Sequence, residues 1–139
     1  MIAKISLIIT LLYVTRAEDC LKCICNRESG CAPVGCNMDM GSLACGFYQM
    51  CLPYYEDCGT PGRGEGEDVT AAWQRCANDY DCATQCVQAY YERYKNKCDG
   101  TGQGPCEVMS RLHNGGPGGC HTSATDGYWN AIQSCCGCS

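Results

Sequence analysis

Apolar residues fall along this chain in three different patterns. From Ile5 to Val14 they make a ten-residue stretch that is mostly apolar, with Lys4 ahead of it and Thr15-Arg16-Ala17 behind it. A positive flank, an apolar centre and small residues at the minus-three and minus-one positions describe a secretory leader. The expected organisation is therefore a signal peptide over residues 1–17 and one domain over residues 18–139. The stretch is too short for the roughly 20 residues that span a bilayer. No later segment is apolar for even ten residues, so a soluble, secreted protein is expected.

In the second pattern, apolar residues recur at helical spacing. Leu21, Ile24 and Cys25 predict a short helix over 19–27, with Glu28 at its exit before Ser29-Gly30. Ala83, Val87, Tyr90 and Tyr94 form one stripe over 81–95, which Asp81 could cap and whose end Lys95 and Lys97 suit electrostatically. Pro105 near a first turn and Asn114-Gly115 as a stop predict a helix over 105–113, and residues 128–134 a shorter one. The third pattern is brief and strand-like. Gly41-Ser42 separates two short apolar stretches and Gly46-Phe47-Tyr48-Gln49 follows, which predicts a small hairpin within 37–50. Residues 60–68 hold Gly62, Gly64, Gly66, Pro61 and three acids and read as a loop. The fold class is α+β, helix-rich with a small hairpin.

Composition changes this picture in one respect: 17 of the 139 residues are Cys, all between positions 20 and 138. That density marks a disulfide scaffold made in an oxidising compartment and excludes an ordinary cytosolic enzyme. Up to eight bridges can form, and the odd residue is a free thiol or a link to another chain. Zinc is the competing use of Cys20-x-x-Cys23 and Cys135-Cys136-Gly137-Cys138, but no His stands at ligand spacing beside either, and no metal or other cofactor is expected. Loss of Lys4 and Arg16 with the leader leaves eight basic residues against fifteen acidic ones, a net charge of −7. Such a chain is a poor partner for nucleic acid or an anionic membrane.

Candidate chemistry is sparse. His113 and His121 lie near glycine-rich turns, no Gly-x-Ser-x-Gly elbow exists, and Gly115-Gly116-Pro117-Gly118-Gly119 lacks the Lys-Ser/Thr ending of a phosphate loop. Paired carboxylates remain. Glu28 at a helix exit and Asp39 in the hairpin, eleven positions later, could face each other across a cleft, as glycoside hydrolysis requires. Spacing alone leaves other pairs open, because fifteen acids are available and most serve as solvated surface charge.

Longer motifs narrow the choice. Cys23-Ile24-Cys25-Asn26-Arg27-Glu28-Ser29-Gly30-Cys31, Gly35-Cys36-Asn37-Met38-Asp39-Met40-Gly41-Ser42-Leu43-Ala44-Cys45-Gly46 and Pro53-Tyr54-Tyr55-Glu56-Asp57-Cys58-Gly59 resemble the invertebrate-type lysozyme and destabilase family. Arg75-Cys76-Ala77-Asn78, Cys86-Val87-Gln88-Ala89-Tyr90, His113-Asn114-Gly115-Gly116-Pro117 and Gly127-Tyr128-Trp129-Asn130 continue the likeness in order, and the Cys-Cys-Gly-Cys end is most similar to nematode members. The resemblance implies a lysozyme-like fold and a secreted, antibacterial or digestive glycosidase that cleaves bacterial peptidoglycan. It implies Glu28 as proton donor and Asp39 as nucleophile of a retaining mechanism, with carboxyls about 5 to 5.5 Å apart. A Glu in that role is expected to have a raised pKa and the Asp to stay ionised, as in the lysozyme that serves as the standard example of such tuning.

The same resemblance places Tyr54, Tyr55, Asp57, Tyr90, His113, Asn114 and Gly115 as sugar contacts. Tyr90 on a helical stripe fits the core as well as a ligand, and His113 fits a helix-end role. Isopeptide cleavage, also attributed to destabilases through a serine and a lysine, is not carried over, because Ala44 and Cys51 stand where those residues are expected. Cys51 is the candidate for an extra bridge or for the unpaired thiol. Two alternatives stay open: a non-catalytic module that binds wall fragments, and an isopeptidase. The acidic charge adds a further expectation, activity at mildly acid pH, where protonated carboxylates weaken repulsion from an anionic wall.

Overall fold

The structure, a computed structural model, describes the backbone of residues 2–139 and the side chains of Ile9 and of residues 16–139; the leader expected over 1–17 lies largely outside the described side chains. Helix α1 spans Ile2–Ser29, strands β1 and β2 span Cys36–Asp39 and Ser42–Cys45, α2 spans Leu52–Asp57, α3 Val69–Ala77, α4 Tyr80–Tyr94, α5 Pro105–Gly115 and α6 Asp126–Cys136. Short 3₁₀ turns at Lys95–Cys98, Gly116–His121 and Ser123–Thr125 join the later helices. Among the described residues no helix is long and apolar enough to cross a membrane.

The helix expected over 19–27 is the last part of a longer α1, since no Gly or Pro interrupts the chain between Val14 and Gly30. β1 and β2 pair antiparallel, Cys36 with Cys45 and Asp39 with Ser42, around a two-residue turn at Met40-Gly41. Both turn residues have positive φ, 46° and 82°, the mirror-image turn that suits strand twist.

Residues 46–49, read as strand-like, form a turn instead. Gly46 has φ 74° and Gln49 φ 48°, and a Cβ at position 46 would fall 1.7 Å from the Ala77 carbonyl oxygen. Phe47 N–H donates to that same oxygen at 2.9 Å, so the segment is tied to the end of α3 rather than to a third strand. Residues 60–68 are a loop as expected, held by Arg75, which bonds Glu67 and donates to the Gly62 carbonyl at 2.8 Å.

Helix α4 starts one residue earlier than expected and its cap is Asp79, which accepts from Cys82 N–H at 2.9 Å; Asp81 lies in the first turn, where its charge still suits the helix dipole. Helices α2 and α3 had no counterpart in the sequence reading. The first is a six-residue helix opened by Pro53; the second is capped by Asp68, which accepts from Ala71 N–H, and buries Ala72, Trp73, Cys76 and Ala77.

The core gathers Leu21 and Ile24 of α1, Tyr48 and Met50 of the post-hairpin turn, Trp73, Val87, Leu112, Trp129 and Ile132. Each fully buried aliphatic contributes about 1.5–3 kcal/mol relative to exposure. The Trp73 indole N–H donates to the Met50 carbonyl at 3.0 Å, so its polar end is satisfied inside.

Eight bridges reinforce this modest core. Cys20–Cys106 joins α1 to α5, Cys23–Cys135 joins α1 to α6, Cys58–Cys86 joins α2 to α4, and Cys76–Cys82 joins α3 to α4. Cys25–Cys31, Cys36–Cys45, Cys98–Cys120 and Cys136–Cys138 complete the set. The two long closures, over separations of 86 and 112, are the most stabilising on chain-entropy grounds, roughly 4–5 kcal/mol each taken alone. Cys20 and Cys23, the pair with zinc-like spacing, are each spent on a distant cysteine. Among the described residues Cys51 is the free one.

Candidate functional site

Glu28 sits in the last turn of α1, and the chain beyond it is locked from several directions. Cys31 N–H bonds the Cys25 carbonyl and the Cys25–Cys31 bridge closes the exit. The Ser29 hydroxyl donates to the Phe47 carbonyl at 2.7 Å and accepts from Ala32 N–H at 3.1 Å. The turn after the hairpin is thereby fixed to the residue adjoining Glu28. The hairpin carrying Asp39 is clamped at its base by Cys36–Cys45 and by Gly35 N–H on the Asn78 side chain at 3.0 Å.

The two carboxyls occupy contrasting surroundings. Asp39 is exposed at the end of β1, opposite Ser42. The Glu28 side chain is only 21% exposed, and both of its protein neighbours approach one oxygen: the Tyr128 hydroxyl donates to Oε1 at 2.8 Å, and His113 Nε2 stands 3.5 Å from the same atom. Burial works to raise the Glu28 pKa. The hydrogen bond and charge of His113, the Tyr128 hydroxyl and nearby Arg27 together outweigh it, and the carboxyl ionises below the usual 4.5. The raised value expected for an acid is therefore not the resting state of this site. The reason is the donors gathered around Oε1, which favour the charged form.

His113 is held on both sides. Nε2 lies 2.9 Å from the Tyr48 carbonyl, which can only accept, so Nε2 carries a proton; Nδ1 lies 3.0 Å from the Tyr54 hydroxyl. Tyr54 stacks on Tyr90 with centroids 3.9 Å apart and meets the His113 ring edge-on. Burial keeps the Tyr54 and Tyr128 hydroxyls well above their ordinary pKa, so both remain protonated donors.

The expected sugar contacts divide on this geometry. Asn114 and Gly115 are exposed, and Asp57 is half-buried with its carboxylate accepting from Tyr94 at 2.9 Å. Tyr55 is fully buried and donates to the Pro61 carbonyl at 2.9 Å, so it shapes the 60–68 loop from inside and offers no face to a ligand. Tyr90 at 4% exposure and His113, whose side chain is likewise 4% exposed, belong with Tyr54 to an aromatic block behind Glu28. Direct sugar contact does not fit the burial of Tyr55, Tyr90 or His113.

Tyr128 and Ser29 carry the site as much as the residues singled out from the sequence. No local signal marks Tyr128, which is 100 positions from Glu28; the Cys23–Cys135 bridge is what brings α6 beside α1. The helices supplying His113 and Tyr128 are joined by Arg111. It donates to Glu107 at 3.0 Å, Asp126 at 2.7 Å and Thr125 at 2.8 Å. The sulfurs of Cys106, Cys136 and Cys138 lie within 4.8 Å of one another, but all three are bonded in disulfides. The site as built offers a sheltered carboxyl with one oxygen held and one open, and a solvated carboxylate on a stapled hairpin.

The Destabilase family model matches residues 17–135. Invertebrate-type lysozyme 3 of Caenorhabditis elegans is 63% identical over 139 residues, the whole of both chains. The crystal structure of Tapes japonica lysozyme superposes with a TM-score of 0.74 at 44% identity, covering 87% of this chain and 94% of that one. Meretrix lusoria lysozyme, solved in complex with PliI of Aeromonas hydrophila, gives a TM-score of 0.72 at 46% identity, over 87% and 93% of the two chains. The chain belongs to the Destabilase family, among the invertebrate-type lysozymes, which are glycoside hydrolases.

Proposed function

We propose that the protein is secreted after removal of residues 1–17 and hydrolyses the β-1,4 link between N-acetylmuramic acid and N-acetylglucosamine in bacterial peptidoglycan, in an antibacterial or digestive role. The observation that carries this reading is the contrast between Glu28, sheltered and held at one oxygen, and Asp39, exposed on the hairpin. Glycosidases need that asymmetry, because one carboxyl must hold a proton while the other stays charged.

In the first step a carboxylate oxygen of Asp39 attacks the anomeric carbon while Glu28 passes its proton to the departing glycosidic oxygen. The glycosyl group is then bonded to Asp39. In the second step Glu28, now a carboxylate, takes a proton from water as that water attacks the same carbon and releases Asp39. The resting pKa of Glu28 is low, so substrate must help to protonate it. A sugar chain laid over the open oxygen removes water from the carboxyl and adds to the desolvation that already pushes the pKa up. Asn114, Gly115 and Asp57, which are not buried, are the remaining polar candidates for contact with the sugar chain. The buried aromatic block sets the stiffness and electrostatics of Glu28 from behind.

Isopeptide cleavage receives no support from residues 44 and 51: Ala44 is buried and carries no nucleophile, and Cys51 stands in place of a lysine. A relative has been solved with PliI, and we infer that the same kind of partner would engage this chain. The test of the mechanism is product stereochemistry. Proton NMR of a chito-oligosaccharide or soluble glycan digest should show the β-anomer first, with the α-form growing by mutarotation. Initial release of the α-anomer would show inversion and remove Asp39 as nucleophile.

A further inference from the structure

The Glu28 carboxyl is held asymmetrically. Tyr128 Oη and His113 Nε2 both approach Oε1, at 2.8 and 3.5 Å, while Oε2 has no hydrogen-bond partner among the described residues. The Nε2 proton of His113 has a nearer acceptor in the Tyr48 carbonyl at 2.9 Å. Tyr128 is thus the group whose donor is committed to Glu28 at ordinary hydrogen-bond distance. The groups that act on this carboxyl come from four elements: Arg27 on its own helix α1, Tyr54 on α2, His113 on α5 and Tyr128 on α6.

Resting on the reading of Glu28 as the acid, we propose that Tyr128 is a positioning residue for it, whose hydroxyl fixes Oε1 as a permanent acceptor so that the proton given to the glycosidic oxygen is carried on Oε2. A neutral carboxyl has one carbonyl-type oxygen and one hydroxyl. With Oε1 accepting from Tyr128, the hydroxyl is Oε2, the atom left open. When that proton leaves for the glycosidic oxygen, Oε1 still accepts from Tyr128 and the bond strengthens with the new charge. No group has to rotate during the step. In the return step the proton from water arrives at Oε2 and restores the starting arrangement. The carboxyl plane is set by α6, and through Cys23–Cys135 by the bridge that fastens α6 to α1.

The test is Tyr128→Phe, which keeps the ring and removes the donor, assayed on a soluble glycan across pH. Expected are a kcat about tenfold lower, KM within about twofold, and an alkaline limb of kcat/KM moved up by about one pH unit, because the charged carboxylate has lost a donor. NMR titration of ¹³C-labelled Glu should place the Glu28 midpoint higher by the same amount. In the unmutated protein the Tyr128 hydroxyl proton should shift with the midpoint of Glu28. An unmoved limb and midpoint, a hydroxyl signal insensitive to the Glu28 titration, or a raised KM with kcat unchanged would overturn the assignment. A Glu28→Gln variant with wild-type rates would instead remove the acid role itself, while the NMR titration would still report whether Tyr128 acts on Glu28.

Discussion

His113 Nε2 stands 3.5 Å from Glu28 Oε1 and is one of the groups that hold the carboxyl below its usual value. In His113→Phe the Glu28 pKa should therefore rise, and the alkaline limb of kcat/KM should move to higher pH, read from a pH series on a soluble substrate. The stability effect has a definite sign. A depressed carboxyl contributes stability that is present above its unfolded value of 4.5 and is lost as pH falls through the folded value. Denaturant titrations should show wild type losing stability below about pH 4.5 more steeply than the variant.

The same low resting pKa, with the acidic net charge, predicts a lytic optimum on the acid side of neutrality. Turbidity assays on bacterial walls at low salt should fall off as pH rises past 7. An optimum above pH 8 would contradict both the charge argument and the electrostatics of Glu28.

Arg111 ties α5 to α6 through Glu107, Thr125 and Asp126 and is 8% exposed. Arg111→Met leaves Glu107 without its cation and frees the helices that carry His113 and Tyr128. A loss of about 2 kcal/mol is expected, smaller than for a fully buried pair because Asp126 is half in solvent. Chemical denaturation measures it, and kcat should fall more than KM changes.

Bridge removal separates the long closures from the short one. Cys23→Ser with Cys135→Ser opens a closure over 112 positions and should lower Tm by about 10 °C. Cys136→Ser with Cys138→Ser opens one over two positions and should lower it by less than half as much. Calorimetry on the two double variants gives the comparison directly.

Several elements were legible in the chain because their determinants are local. The α1 exit follows from Gly30, the hairpin from Gly41, although its turn is Met40-Gly41 and Ser42 already pairs in β2, and the start of α5 from Pro105. Other features depended on contacts no window contains. Residues 46–49 carry aromatic residues typical of a strand, but the Ala77 carbonyl decides their turn, and it belongs to α3. A pair such as Tyr54-Tyr55 shows that two rings are present, not where each is buried: Tyr54 stacks on Tyr90, while the Pro61 carbonyl captures Tyr55. Helix α3 has local signals of its own, the Asp68 cap and the Ala72-Trp73-Cys76 stripe, but the acidic glycine-rich run that leads into it carries the stronger loop pattern. Nothing local gives Tyr128 a role, since the carboxyl it holds lies 100 positions away.

Whether Glu28 and Asp39 together perform the hydrolysis is read from lysis of bacterial cell walls by purified, correctly oxidised Glu28→Gln and Asp39→Asn. Each variant should lose activity by about 10²-fold or more, with Tm within a few degrees of wild type. Wild-type lysis by either variant would contradict it.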